Sequence, residues 1–188
     1  AGATADTGES VVVSGTVDIN VDGTYTVTYT ATDASGNVGT ATRTVTVVDT
    51  TAPVITVTVG TDTVAQFSSW TDAGATADTG ESVVVSGTVD INTAGTYTVT
   101  YTATDASGNI GTATRTVTVV DTTAPVVTVT NGTDTVAQFS SWTDAGATAD
   151  TGETVIASGE VDTATGGAYI ITYTATDASG NIGTATRT

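Results

Sequence analysis

Cysteine, histidine, methionine and lysine are all absent from these 188 residues, and the three cationic side chains are arginines. Without cysteine there is no disulfide, no thiolate metal site and no thiol nucleophile. Without histidine the usual general base near neutral pH is missing, along with the commonest transition-metal ligand. Without lysine neither a Schiff base nor a lysine–asparagine cross-link can form. Against three cations stand 20 acidic side chains, for a formal charge of −17. A chain so poor in Lys and Arg is a poor match for phosphate backbones or for an anionic membrane surface, so no nucleic-acid partner is expected. No apolar run approaches the ~18 residues of a membrane span, and direct membrane insertion is not expected either. What is abundant is threonine, at 50 residues, and glycine, at 21.

The sequence repeats with a period of 72 residues. AGATADTGESVVVSGTVDIN at 1–20 recurs unchanged at 73–92, and AGATADTGE returns at 145–153. DASGN begins at Asp33, Asp105 and Asp177, TAP at Thr51 and Thr123, and AQFSSWTDAG at Ala65 and Ala137. Residues 1–50 differ from 73–122 at three positions only: Val21/Thr93, Asp22/Ala94 and Val38/Ile110. A 72-residue unit is too long for one solenoid coil and long enough for a small sandwich with its own core. The expected division is a partial repeat over 1–50 lacking its first strands, a complete repeat over 51–122, and a partial repeat over 123–188 lacking its last strand. The chain thus reads as a window on a longer array.

Within the unit, Thr96 to Thr104 alternates strictly, with Tyr97, Val99, Tyr101 and Ala103 on one face and threonines on the other. That is the pattern of a half-buried strand, and β-branched threonine suits the solvent side of its pleat. DASGN supplies a hairpin turn, and Thr112 to Val120 returns with Ala113, Val117 and Val119 in phase. Arg115 shares that apolar phase, which predicts either a bulge or a place at the core's edge beside a carboxylate, the second being favoured. Val54–Val59, Thr63–Phe67, Ala73–Ala77 and Val83–Val89 are the other strand candidates, with Phe67 and Trp70 as core anchors. No segment has helical periodicity with caps. The fold class predicted is all-β, an antiparallel sandwich of about seven strands per 72-residue repeat.

TDAGATADTGE, GTYTVTYTATDASGN and TATRTVTVVDTTAPV resemble the bacterial immunoglobulin-like tandem repeats, HYR-like and related, of large secreted surface proteins and adhesins. The resemblance spans essentially the whole chain and implies tandem immunoglobulin-like β-sandwich domains, an extracellular or cell-surface location, and a stalk or extender role. In many such arrays it also implies calcium at the domain junctions.

Immunoglobulin-like topology returns the loops after the second and sixth strands to the end where the preceding linker enters. Asp78 and Glu81, Asp105 and Asn109, and the linker residue Asp49 would then share that end. The next junction repeats them as Asp121, Asp150, Glu153, Asp177 and Asn181. The first copy supplies Asp6, Glu9, Asp33 and Asn37. Oxygen donors without nitrogen or sulfur suit calcium, so a structural Ca2+ is the cofactor expected, roughly one or two ions per junction with loose affinity. Asp and Gly also simply make turns, and that reading stands beside the metal one. Asp62, Asp72 and Asp90 are read as solubilising charge.

The function expected is a structural extender of a long extracellular repeat protein, stiffened by calcium, with the neighbouring repeats of the same chain as its partners. The alternative is an extracellular filament or surface-layer subunit whose copies join one another by strand addition. A sugar-binding module would need an exposed aromatic platform, whereas Trp70 and Trp142 sit in strand-like context. An enzyme is not expected, since the paired carboxylates recur at junctions rather than in a cleft.

Overall fold

A computed structural model of the chain describes residues 2–188, and among these every regular element is a strand. In the first copy these are β1 (Val12–Ser14), β2 (Gly23–Thr32) and β3 (Val38–Val47). The central copy holds β4 (Ile55–Val57), β5 (Thr63–Ala65), β6 (Ala75–Ala77), β7 (Val84–Ser86), β8 (Gly95–Thr104) and β9 (Ile110–Val120). The third holds β10 (Val127–Val129), β11 (Ala147–Ala149), β12 (Ile156–Ser158), β13 (Ile171–Thr176) and β14 (Ile182–Arg187). The central copy therefore has six strands where about seven were expected, and four of them are only three residues long. Each short strand is cut off by a turn, which the alternation of valine and threonine on either side conceals.

The residues form two compact units. The first comprises the chain up to Thr58 with 73–86 and 100–114. Its sheet β1-β2-β3 is antiparallel, with Val27 opposite Arg43 and Tyr29 opposite Ala41. Beside it β4 pairs antiparallel with β6, Ile55 facing Ala77 and Val57 facing Ala75, and Val84–Ser86 pairs with Thr100–Thr102. Tyr101 and Ala103 are fully buried, while their counterparts Tyr29 and Ala31 in the first copy are only half-buried. The alternating strand is the same in both copies. What differs is that residues 51–59, which make β4, have no counterpart ahead of the first copy.

The second unit comprises 59–72, 87–99 and 115–188. Its central-copy core is Val64, Val117 and Val119, with Trp70, Val89 and Tyr97 packed around it. Here β5 lies parallel to the end of β9, Val64 opposite Val119. The third copy has the sheet β12-β13-β14, against which β10 packs. Ile171, Tyr173 and Ala175 are its buried residues.

Arg115 takes the core-edge position that its phase implied. It is 4% exposed, and it is held by Asp62 (Nη1 to Oδ1, 2.6 Å) and Asp72 (Nε to Oδ1, 3.3 Å). Arg187 repeats this with Asp134 at 2.5 Å and Asp144 at 3.5 Å. The Tyr173 hydroxyl donates to Asp144, which holds that carboxyl below the usual aspartate range. Asp62 and Asp72 are thus partners of a buried cation rather than solubilising charge, because a guanidinium out of water needs carboxylates to offset its desolvation. Asp90 caps a turn, accepting from the Asn92 N–H at 2.9 Å and the Thr93 hydroxyl at 2.9 Å.

Trp70 is half-buried against the core and donates Nε1–H to the Thr61 carbonyl at 2.8 Å. Phe67 is not an anchor. Its backbone is left-handed (φ 64°), which turns the ring outward to 66% exposure, and Phe139 repeats the conformation. A bulky residue there is a genuine outlier. The turn keeps it through the Phe67 N–H to the Ile91 carbonyl (2.7 Å) and the Gln66 amide to the Asn92 carbonyl (2.5 Å).

Candidate site at the repeat junctions

The DASGN hairpin builds one half of each junction. Asp105 Oδ1 accepts the N–H groups of Ser107 (2.9 Å) and Asn109 (2.8 Å), while Oδ2 accepts the Asn109 side-chain amide at 2.8 Å. An aspartate that bonds the backbone two and four residues on is the means by which Asx residues shape turns. The same set recurs at Asp177 and Asn181, and at Asp33 and Asn37. In all three copies the asparagine amide, and after it the backbone donors, hold the aspartate below its ordinary range. The first copy has no incoming linker in this sequence, so the turn closes without one.

The linker adds the other half. The Asn109 amide also reaches the Asp49 carbonyl at 3.3 Å, and Asn181 reaches the Asp121 carbonyl at 3.2 Å. Ser179 Oγ donates to Asp121 Oδ2 at 3.1 Å. Further along, Asp78 Oδ1 accepts the Val54 N–H at 2.8 Å while the Asp78 N–H returns to the Val54 carbonyl at 3.0 Å. Asp150 and Val126 form the same reciprocal pair. Asp49 and Asp121 accept the N–H two residues on, from Thr51 and Thr123, each at 2.9 Å.

Between these fastenings lies a contact that carboxylate-based reasoning passed over. A Cβ added to Gly111 would stand 1.9 Å from the Pro53 carbonyl oxygen, and one on Gly183 would stand 1.9 Å from that of Pro125. At Gly39, the same position in the first copy, nothing lies within 4 Å. Glycine inside a strand marks a close approach of another backbone, and here that backbone is the linker. The signal was available in the sequence as a glycine at the same place in two strands that each follow a TAP linker.

The predicted metal ligands are brought together only in part. Asp49, Asp105 and Asn109 meet, as do Asp121, Asp177 and Asn181, and Asp78 and Asp150 meet the linkers. Glu81 and Glu153 are each hydrogen-bonded by a threonine of their own turn, Thr79 and Thr151, at 2.5 Å. Glu9 is bonded likewise by Thr7, and Asp6 lies 3.5 Å from the same hydroxyl. The Asn109 and Asn181 amides face the aspartates with their nitrogens, as donors rather than oxygen ligands. Among the described residues no three acidic side chains stand close enough to hold a metal ion, and no buried side-chain nitrogen or oxygen lacks a partner. The donor chemistry suits a hard cation, but the arrangement is not a preformed cage. The amide of Asn109 or Asn181 occupies the place between oxygens that a cation would take.

Comparison with known proteins agrees with this architecture. The family model for the bacterial surface protein Ig-like domain matches residues 1–47, 50–119 and 123–188. Two curated relatives are named Hyalin. The one from Strongylocentrotus purpuratus is 46% identical over 122 residues, covering 56% of this chain and 10% of its own. The one from Lytechinus variegatus is 44% identical over 125 residues, covering 58% of this chain and 23% of its own. The chain thus spans under a quarter of either relative. Among solved structures, the lipoprotein BT2262 from Bacteroides thetaiotaomicron is 26% identical with a TM-score of 0.32, over 66% of this chain and 61% of its own. With the family model matching all three copies of an all-β repeat, the chain belongs to the bacterial surface protein Ig-like domain family and is a segment of an extracellular, cell-surface repeat protein.

Proposed function

We propose that this segment is a structural extender, a run of Ig-like repeats whose linkers are fastened to the repeat they enter so that the array resists bending at its junctions. The observation carrying this reading is the Pro53 carbonyl seated against Gly111, repeated by Pro125 against Gly183, each flanked by a reciprocal aspartate–linker pair. A linker held by backbone packing and by both ends of an Asx turn has few ways to flex. Proline fixes its own φ at the same point. Near-identical copies suit a spacer, in which number and stiffness matter more than individual surfaces.

Calcium at the junctions is the second element of the proposal. Its ligands would come from Asp49, Asp78, Glu81, Asp105 and Asn109 and their counterparts 72 residues on. Support lies in the donor chemistry alone: oxygen donors, a surplus of negative charge and recurrence at each junction. An ion there would supply positive charge that several carboxylates share, and Asn109 would have to rotate its amide.

The test uses the absence of native cysteine. Cysteines placed at exposed Thr42 and Thr112 carry spin labels, and the distance distribution is measured in EDTA and in roughly 5 mM calcium, near the weak end of extracellular sites. The extender reading expects one narrow distribution in EDTA, and the calcium element expects it to narrow further and the melting temperature to rise. A broad distribution in both buffers would overturn the extender reading. A narrow one indifferent to calcium would remove calcium alone. The filament reading draws on the open strand position described next, and growth of particles with concentration would favour it.

A further inference from the structure

In the central copy β9 continues through Val120, and its last residues form the floor of the core. Val117 and Val119 are buried beneath Val64, Trp70, Val89 and Tyr97. The Thr118 N–H donates to the Asp62 carbonyl at 2.8 Å, and the Val120 carbonyl accepts the Gln66 N–H at 2.7 Å. Thr133 to Trp142 repeats Thr61 to Trp70 residue for residue, yet its surroundings differ. The strand β14 ends at Arg187, and no residue of these 188 takes the position held by Val117–Val120. Residues 135–137 then form no strand. Val136 is half-buried where Val64 is buried, and Ala137 and Gln138 are exposed where Ala65 and Gln66 are not.

In place of the missing strand is a cavity of about 330 Å³, lined by Val136, Trp142, Val161, Tyr169, Ile171 and Arg187 among others. These are the counterparts of Val64, Trp70, Val89, Tyr97, Val99 and Arg115. Its rim keeps the shape of the filled copy. The Phe139 N–H reaches the Thr163 carbonyl at 2.8 Å, the Gln138 amide the Ala164 carbonyl at 2.6 Å, and Trp142 Nε1 the Thr133 carbonyl at 2.7 Å. The socket is therefore preorganised, which lowers the ordering cost of binding.

We propose that this cavity is an acceptor site for one added β-strand from another molecule, an extended peptide of the alternating type Val-Thr-Val-Val, lying parallel to Thr135–Ala137. Its first and third valines fill the places of Val117 and Val119. Its threonine N–H bonds the Asp134 carbonyl and its last carbonyl accepts the Gln138 N–H, as in the central copy. Backbone pairing supplies affinity and alternate side-chain pockets supply selectivity, the mode of strand addition. The surplus of negative charge on the chain disfavours an acidic strand. The inference is independent of the extender reading, since it concerns a face within one copy rather than a linker.

The test adds the capped peptide Thr-Val-Thr-Val-Val to the whole chain and follows amide exchange at 134–138 with Trp142 fluorescence. A second arm extends the chain past Thr188 by Val-Thr-Val-Val. Both arms should slow exchange at 134–138 at least tenfold and shift the Trp142 emission to the blue, while an all-threonine peptide does neither. Val136→Thr should weaken the peptide at least fivefold, and Val64→Thr should not alter it. Failure of both arms to protect 134–138 overturns the proposal. So does self-association of the chain that buries 134–138 and that excess peptide cannot displace, which would make a second copy the occupant.

Discussion

Gly111→Ala isolates the linker contact from everything else in the fold, because the same substitution can be made at Gly39, where the identical turn lacks a linker. The new methyl group at 111 would begin 1.9 Å from the Pro53 oxygen, where ordinary contact starts at 3.4 Å, so linker or strand must retreat by about 1.5 Å. The obstacle is a backbone carbonyl and not the end of a flexible side chain. A retreat of that size also lengthens the Asp78–Val54 bond, now 2.8 Å, beyond hydrogen-bonding range. Overpacking against an immobile neighbour costs about 1–3 kcal/mol, and the upper half of that range is expected here. At Gly39 nothing lies within 4 Å, so alanine should change stability by about 0.5 kcal/mol or less, or improve it slightly by restricting the unfolded chain. Urea unfolding followed at the Tyr101 amide by NMR compares the two variants with the parent. Equal effects at 39 and 111, or none at 111, would refute the claim that the glycine exists to admit the linker.

Three further outcomes follow from the geometry. Arg115→Ala should cost about 2–4 kcal/mol, since it empties a buried position and leaves two carboxylates without their cation, whereas Arg43→Ala, on an exposed side chain, should cost about 0.5 kcal/mol or less; paired urea titrations decide it. Phe67→Asn should leave stability unchanged or raise it by about 0.5–1 kcal/mol, because asparagine tolerates the left-handed backbone and little ring burial is lost; a marked drop in melting temperature would show that the ring is needed where it stands. Asp33, Asp105 and Asp177 titrate lower folded than unfolded, so they stabilise the fold above their ordinary value of 3.8 and stop doing so as pH falls below it through their folded values. A melting-temperature profile from pH 7 to 2 should therefore stay level from these groups down to about pH 4 and then fall, less steeply in Asp105→Asn.

Much of the fold was legible in strict alternation. Thr96 to Thr104 could be placed as a half-buried strand because one face alone enters the core, and Arg115 could be placed at the core's edge because the pleat gives it no other phase. The short strands were overextended because valine and threonine continue the pattern past the point where a turn ends the pairing. Phe67 failed for a related reason: an aromatic after Ala-Gln reads as strand, and only the backbone reveals a left-handed turn. Asp62 and Asp72 could not be matched to Arg115 across some fifty residues of sequence without knowing that β5 lies beside β9. The junction aspartates were assigned to the linker end, and Asp49 and Asp105 do meet there through Asn109. What composition cannot decide is the competition for their lone pairs. Backbone N–H groups and the asparagine amide lie close by in the same chain and claim those oxygens first, whatever ion is in solution.

The central claim is that each linker is fastened to the repeat it enters. Hydrogen exchange of the Val54 and Val126 amides tests it directly, because each of these N–H groups donates to an aspartate across the junction while lying outside the regular strands. The account predicts that both exchange as slowly as amides in the neighbouring three-residue strands, and that Gly111→Ala releases Val54 while leaving Val126 protected. Exchange of both at the rate of an unstructured chain would mean that the linkers hang free and that the repeats are joined by nothing more than tether.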